Sequence, residues 1–194
     1  ASQIAHTMSF GYNNDLEPYS YDVDLARKLL TEAGYANGFD LPTLLVPGSS
    51  ATNSQDWYQQ IASDLSEVGV HMEIRPTRLP NYFDYMYNGG WPSLAFAMST
   101  YTFDPLAAYR IRSCSWTHPY HCDPSIMPLI EKAQAATSLE ERQRLTQGVL
   151  HHEFENPPGI FLWQSVSFEG LGPRVIAYWS GADTLRVEDI VLAD

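Results

Sequence analysis

The run from Phe39 to Thr77 constrains the fold most. "FDLPTLLVPG" is an apolar stretch bounded by glycine, and it reads as a strand near 41–46. "NSQDWYQQIASDLSEVG" follows, with apolar residues at Trp57, Ile61, Leu65 and Val68 and Gly69 just beyond. That spacing gives a helix one apolar face, and the glycine suits its end. "VHMEIRPT" then alternates apolar and polar residues at Val70, Met72 and Ile74, the pattern of a half-buried strand. A helix between two strands carries the chain back along the sheet, so the strands pair in parallel through a right-handed crossover. The fold class is therefore α/β, built on a βαβ unit.

The flanking segments agree with this class. "YDVDLARKLLTEAGY" predicts a helix capped by Asp22, with Leu25, Ala26, Leu29, Leu30 and Ala33 as its apolar positions and Gly34 at its end. "SLAFAMST" near 93–100 predicts another strand, and 105–112 a short helix. A helix is expected after Asp123 or Ser125, and another from Ser138, where Ser138 and Glu141 form a capping-box pattern, to Pro157 and Pro158. "GIFLWQSVSFEG" reads as a strand, and the last 25 or so residues as short strands and turns. Residues 1–21 are polar and turn-rich. No repeat, low-complexity tract or linker divides the chain.

At 194 residues and 44% hydrophobic, the chain can build one core without a metal or disulfide. Its net charge of −12, with only two lysines, opposes electrostatic binding to nucleic acid or to an anionic membrane surface. No apolar run is long enough to span a bilayer. The start "ASQIAHTMSF" shows neither a signal peptide nor an initiator Met, as expected of a mature protein or of a piece of a longer one.

The chemically dense stretch is "SCSWTHPYHCDP", Ser113 to Pro124, which holds both cysteines and two of the six histidines. A zinc site would use Cys114, Cys122, His118 and His121, but zinc ligands favour close pairs such as C-x₂-C, and this spacing matches none. A thiolate nucleophile paired with histidine is another reading, although no nucleophile-elbow motif accompanies it. A Cys114–Cys122 disulfide is the third, suited by the even count and by an irregular loop, and it would require an oxidising compartment. His151–His152 sit on a helix about 100° apart, which predicts one half-buried and one exposed ring rather than a chelating pair. The carboxylates Glu140–Glu141 and Glu153/Glu155 read as solvated helix faces. No phosphate-cradling glycine motif is present.

Several segments together resemble the extracellular solute-binding proteins of family 5, which serve ABC importers. "YSYDVDLARKLLTEAGYANGFDL" is similar to that family's Tyr-Asp helix start followed by A-x-x-L-L-x-E-A-G-Y and a strand. "IASDLSEVGVHMEIRP" is similar to its helix ending in Gly-Val before a strand. Asp104–Pro105 is similar to its "DP", and "SLEERQRLTQGVLHHEFENPPGIFLWQSV" to its D-x-x-x-R helix and following strand. The likeness covers roughly 19–180.

The resemblance implies a type II periplasmic-binding-protein-like lobe, a mixed sheet flanked by helices, that closes on a solute by hinge motion and docks on a permease. Whole members are more than twice this long. The chain, 1–194, is thus expected to be a single lobe from a two-lobed protein, with residues from about 164 returning towards the first lobe. The resemblance also implies the Cys114–Cys122 disulfide, because the peptide-binding branch has cysteines at the matching places. It implies a periplasmic or extracellular location, with a lipoprotein anchor compatible with the full-length parent, and neither cofactor, metal nor catalysis.

The ligand-binding candidates are Met98, Tyr101, Asp104, Trp116 and Trp91. Here the peptide-binding branch has a Trp and an Asp that pairs with the ligand's amino terminus; Met98 and Tyr101 stand at those places. A neutral tyrosine cannot neutralise an ammonium, and a buried ammonium without a counter-charge is costly. A shift of a few residues makes Asp104 the candidate instead; otherwise a sugar, an aromatic or another non-peptide solute is expected. The rival readings are a secreted Cys/His or metal-dependent hydrolase using the 114–122 cluster, and a stand-alone chaperone-like binding module.

Overall fold

A computed structural model of the chain describes residues 1–47, 56–95, 104–109, 113–119, 121–164, 170–181, 184–185 and 187–193. Helix α1 spans Val23–Glu32, where Asp22 accepts a hydrogen bond from the Leu25 amide at 2.8 Å. It ends as a Schellman turn: Tyr35 N–H donates to the Leu30 carbonyl and Gly34 N–H to that of Thr31, with Gly34 at φ +89°. The cap and stop fall as expected, but the helix buries no residue, and Leu25 and Leu29 stay exposed.

The expected strand near 41–46 is two pieces, β1 (Phe39–Asp40) and β2 (Leu44–Pro47). Its partner is likewise split into β3 (Val70–His71) and β4 (Ile74–Thr77). Pro42 is the cause. It has no N–H for the ladder, and the register slips by one residue there, from Asp40 opposite His71 to Leu44 opposite Ile74. Helix α2, Asp56–Ser66, joins the two sides, and both pairings are parallel, so the βαβ unit stands. Tyr58 on α2 is buried beside the expected Trp57 and Ile61, and burial pushes its phenol up to about 12. At the unit's tight end Gly38 and Gly69 both have positive φ. A Cβ on Gly38 would lie 1.9 Å from the Gly69 carbonyl oxygen, so only glycine fits there.

A helix that the sequence did not announce follows: α3, Leu79–Asn88, with a proline in its first turn and Gly89 at its end. Its Tyr-Phe-Asp-Tyr-Met-Tyr run has low helix propensity, yet Tyr82 fixes it by being buried in the core. Strand β5 (Leu94–Ala95) then pairs in parallel with β2, giving the order β4-β2-β5. Among the described residues this sheet is parallel throughout, and the antiparallel pairs lie elsewhere. The helix expected at 105–112 begins as a single 3-10 turn, Pro105–Ala107, with 110–112 outside the described residues.

Helices α4 (Met127–Ala135) and α5 (Leu139–Glu155) form the second half of the core. Ser138 caps α5 by accepting from the Glu141 amide at 3.2 Å. Leu145 and Val149 pack with Leu106, Tyr109, Ile126, Ile130 and Ala133. Leu150 packs instead with Ala5 and Leu16 of the N-terminal segment. That segment is irregular but locked: the Gln3 side chain donates to the Asn13 carbonyl and accepts from the Asn13 amide. Glu153 corrects the expectation of a solvated face. It continues the Leu145–Val149 stripe by one more four-residue step and is buried.

The strand expected over "GIFLWQSVSFEG" is not found in its described part, 159–164. There the hydrogen bonds run irregularly to the N-terminal segment: Ala1 to the Leu162 carbonyl, Thr7 N–H to the Gln164 side chain, and that side chain to the Ala5 carbonyl. The C-terminal residues form short antiparallel pairs, β6 (Val175–Ala177) with β9 (Val191–Leu192) and β7 (Ser180–Gly181) with β8 (Thr184–Leu185).

Candidate functional site

Parallel strands end at one rim of their sheet, and ligands of open α/β sheets bind outside those carboxyl ends. Here the rim is formed by Pro47, Thr77 and Ala95. The segment leaving β5 carries Met98 and Tyr101, which lie outside the described residues. Trp91, Asp104 and Trp116 are described.

Trp91 follows Gly89–Gly90 on the way into β5 and is half-buried. Its ring meets Tyr82 edge-on at 5.1 Å and Tyr85 at 5.4 Å, two residues on one face of α3. Trp116 sits half-buried in the loop closed by the Cys114–Cys122 disulfide, whose Cα atoms are 4.6 Å apart. Buried Ser113 anchors the loop by donating to the Tyr109 carbonyl. The same loop reaches α3. The His118 ring fills the notch at Gly89, where a Cβ would stand 2.7 Å from Nδ1. Gly89 has φ +76°, so both its conformation and its missing side chain admit the histidine. The carriers of Trp91 and Trp116 are therefore neighbours.

Asp104 is engaged by the fold. Oδ1 accepts from the Leu106 amide at 3.0 Å and caps the 3-10 turn, while Oδ2 accepts from Arg142 of α5. Sequence reasoning gave Arg142 no role; its only signal was its place in the D-x-x-x-R-like helix.

Below the disulfide loop, Asp123, Ser125 and His152 meet. His152 Nε2 is 2.9 Å from Asp123 Oδ2, and the Ser125 hydroxyl donates to Asp123 Oδ1 at 2.7 Å. Hydrogen bonds from the Ser125 hydroxyl, then from His152 and the Ser125 amide, hold the Asp123 carboxyl down at about 2. The composition is that of a hydrolase triad, but the geometry is not. Ser125 and Asp123 both face the same imidazole nitrogen, so no proton can pass from serine through the ring to a second nitrogen held by aspartate. The adjoining cavity is about 10 Å³, too small for a solute. The cluster ties the loop to α5. As expected, His152 is the half-buried member of its pair and His151 the exposed one. Both cysteines are bridged, which removes the thiolate of the hydrolase reading. Among the described residues no group of three or more His, Cys, Asp or Glu is arranged to hold a metal, and no helix is long and apolar enough to cross a membrane.

A parallel sheet flanked by helices, with aromatic side chains and a stapled loop gathered beside its strands, has the α/β architecture of a periplasmic-binding-protein-type lobe. Residues 1–117 match the family described as bacterial extracellular solute-binding proteins, family 5 Middle. The chain belongs to that family. It is 27% identical over 181 residues to heme-binding protein A of Haemophilus influenzae, covering 87% of this chain and 32% of that protein. It is 26% identical over 189 residues to the dipeptide-binding protein of Escherichia coli, covering 92% and 35%. Among solved structures, a dipeptide-binding protein of a Pseudoalteromonas species in complex with Met-Leu superposes with a TM-score of 0.66 at 27% identity, covering 81% of this chain and 33% of that one. The chain spans about a third of the length of the curated relatives it matches.

Proposed function

We propose that this chain is one lobe of the solute-binding component of an ABC-type importer. It forms half of a cleft that closes on a small solute and delivers it to a membrane permease, outside the cytoplasm. The match of residues 1–117 to family 5 is the observation that supports this most. The bridged cysteines are in keeping with an oxidising, extracytoplasmic setting. Trp91 and Trp116, with Met98 and Tyr101, form the lobe's ligand edge, and Asp104 anchors it. Aromatic faces of this kind suit peptides, sugars or aromatic solutes, and two relatives are named for heme and for dipeptides. Residues from about 164 onward return to a first lobe.

A thermal-shift screen of the full-length protein against peptides, sugars, aromatic acids and heme tests this reading. Ligand at a hundred times its Kd stabilises by about 2.7 kcal/mol, which is several degrees in Tm. Trp116→Ala is expected to weaken the ligand so found about tenfold while keeping the unliganded Tm within about 2 °C. A parent gene without a preceding lobe or neighbouring importer genes, together with no stabilising solute, would sink the proposal.

A further inference from the structure

Asp104 is the one carboxylate at the proposed ligand edge that sequence reasoning offers as a counter-charge for a ligand's ammonium. Its surroundings argue for another use. One oxygen accepts from the Leu106 amide and the other from the Arg142 guanidinium. The backbone of Arg142 is well anchored. It lies one turn inside α5, its amide donates to the Ser138 carbonyl, and its carbonyl accepts from the Thr146 hydroxyl at 2.8 Å. Thr146 is fully buried against Gly11, where a Cβ would come within 2.6 Å of its methyl carbon. Gln147, next on the helix, donates to the Tyr12 carbonyl. The helix is therefore clamped on the side of Arg142 by the N-terminal segment, and Asp104 is held from both of its oxygens.

We propose that Arg142 is a positioning and specificity-determining residue: it engages the Asp104 carboxylate and cancels its charge, so that this edge does not receive a ligand's ammonium group. The guanidinium offsets the carboxylate's charge. A cationic amine arriving there would have to displace a guanidinium already paired with the carboxylate. The inference rests on the solute-binding reading for its consequence, while the pairing itself stands on the geometry.

The test uses the full-length protein and two probes, the dipeptide Met-Leu and its N-acetylated form, titrated calorimetrically at low ionic strength. The readout is the ratio of their affinities. Arg142→Met removes this counter-charge from Asp104 and is expected to raise preference for the free amine at least tenfold over wild type. Arg142→Gln, which keeps a hydrogen-bond donor but not the charge, shifts it the same way and serves if the Met variant fails to fold. Adding Asp104→Asn to either variant abolishes the gain, and Arg142→Lys leaves the wild-type ratio. The inference is overturned if neither Arg142→Met nor Arg142→Gln raises the ratio, which includes the case in which no variant binds either probe. It is equally overturned if Asp104→Asn in the wild-type background lowers the ratio tenfold, because Asp104 would then be the amine's partner. The solute-binding reading fails separately, through the ligand screen and gene context, and survives either of these results.

Discussion

Asp123 shows how one side chain is read from its neighbours. Its carboxyl is lowered from an ordinary 3.8 to about 2, chiefly by the Ser125 hydroxyl and then by His152. A carboxyl whose folded pKa is depressed contributes stability that is present above its unfolded pKa, and loses it as pH falls towards the folded one. The sensitive window is therefore from about pH 4 down to 2. Carbon NMR titration of the Asp123 carboxyl is expected to give a midpoint near 2 in the wild type. In Ser125→Ala it should move up towards 3.8, since that change removes the first of its causes. An unmoved midpoint would mean that Ser125 is not the main donor. The cap at Asp22 and the stop at Gly34 were legible in sequence because both are local: a side chain reaching an amide three residues on, and a residue free to take positive φ. Arg142 was not legible, because its partner lies 38 residues away and nothing local announces it.

At the scale of elements, periodicity found α1, α2, α4, α5 and the βαβ unit, and missed what periodicity does not encode. Proline at position 42 divides a strand that hydrophobicity alone reads as continuous, and the partner strand divides with it. Helix α3 was hidden because its residues are poor intrinsic helix formers held by the burial of Tyr82. The N-terminal 21 residues read as polar and turn-rich, and Gln3, Ala5 and Leu16 among them lie in the interior, because α5 needs cover on a second face. The 113–123 loop is the element with the most to lose from one covalent change. It is closed by the disulfide, and pinned at one end by Ser113 and at the other by Asp123 with His152. In the chain-entropy picture so short a bridge is worth roughly 2–3 kcal/mol. Cys114→Ser with Cys122→Ser is then expected to lower Tm by about 4–12 °C, measured by circular dichroism. Reductant should lower the wild-type Tm similarly and leave the double variant unchanged. Two thiols that react at once in the unreduced, denatured protein would show that no bridge exists. The loop would then have to be held against α3 by His118 in the Gly89 notch alone.

At the scale of the whole molecule, apolar surface is unevenly distributed. The α4–α5 half has a closed core, whereas the C-terminal segment exposes Ile176 at 67%, Val187 at 69%, Val191 at 51% and Leu192 at 53%, beside Trp179 at 47%. Two-stranded pairs as short as β6–β9 and β7–β8 are marginal alone in water. Burying one such side chain is worth about 1.5–3 kcal/mol, so several gathered in 24 C-terminal residues favour a covering partner. The chain spans only a third of its relatives' length, and a first lobe is the partner that the proposed architecture supplies. Hydrogen exchange separates this from the alternatives. In the 194-residue chain alone, the amides of Val175–Ala177 and Val191–Leu192 are expected to exchange within about a hundredfold of the unprotected rate, while those of Leu145–Leu150 remain slow. In the full-length protein the same C-terminal amides should slow by a further hundredfold or more, at every protein concentration. Slowing in the short chain that grows with its concentration would instead identify a second copy as the cover. Equal and fast exchange in both proteins would mean that these strands do not return to a first lobe, and that the lobe ends with the segment its N-terminal residues hold, near Gln164.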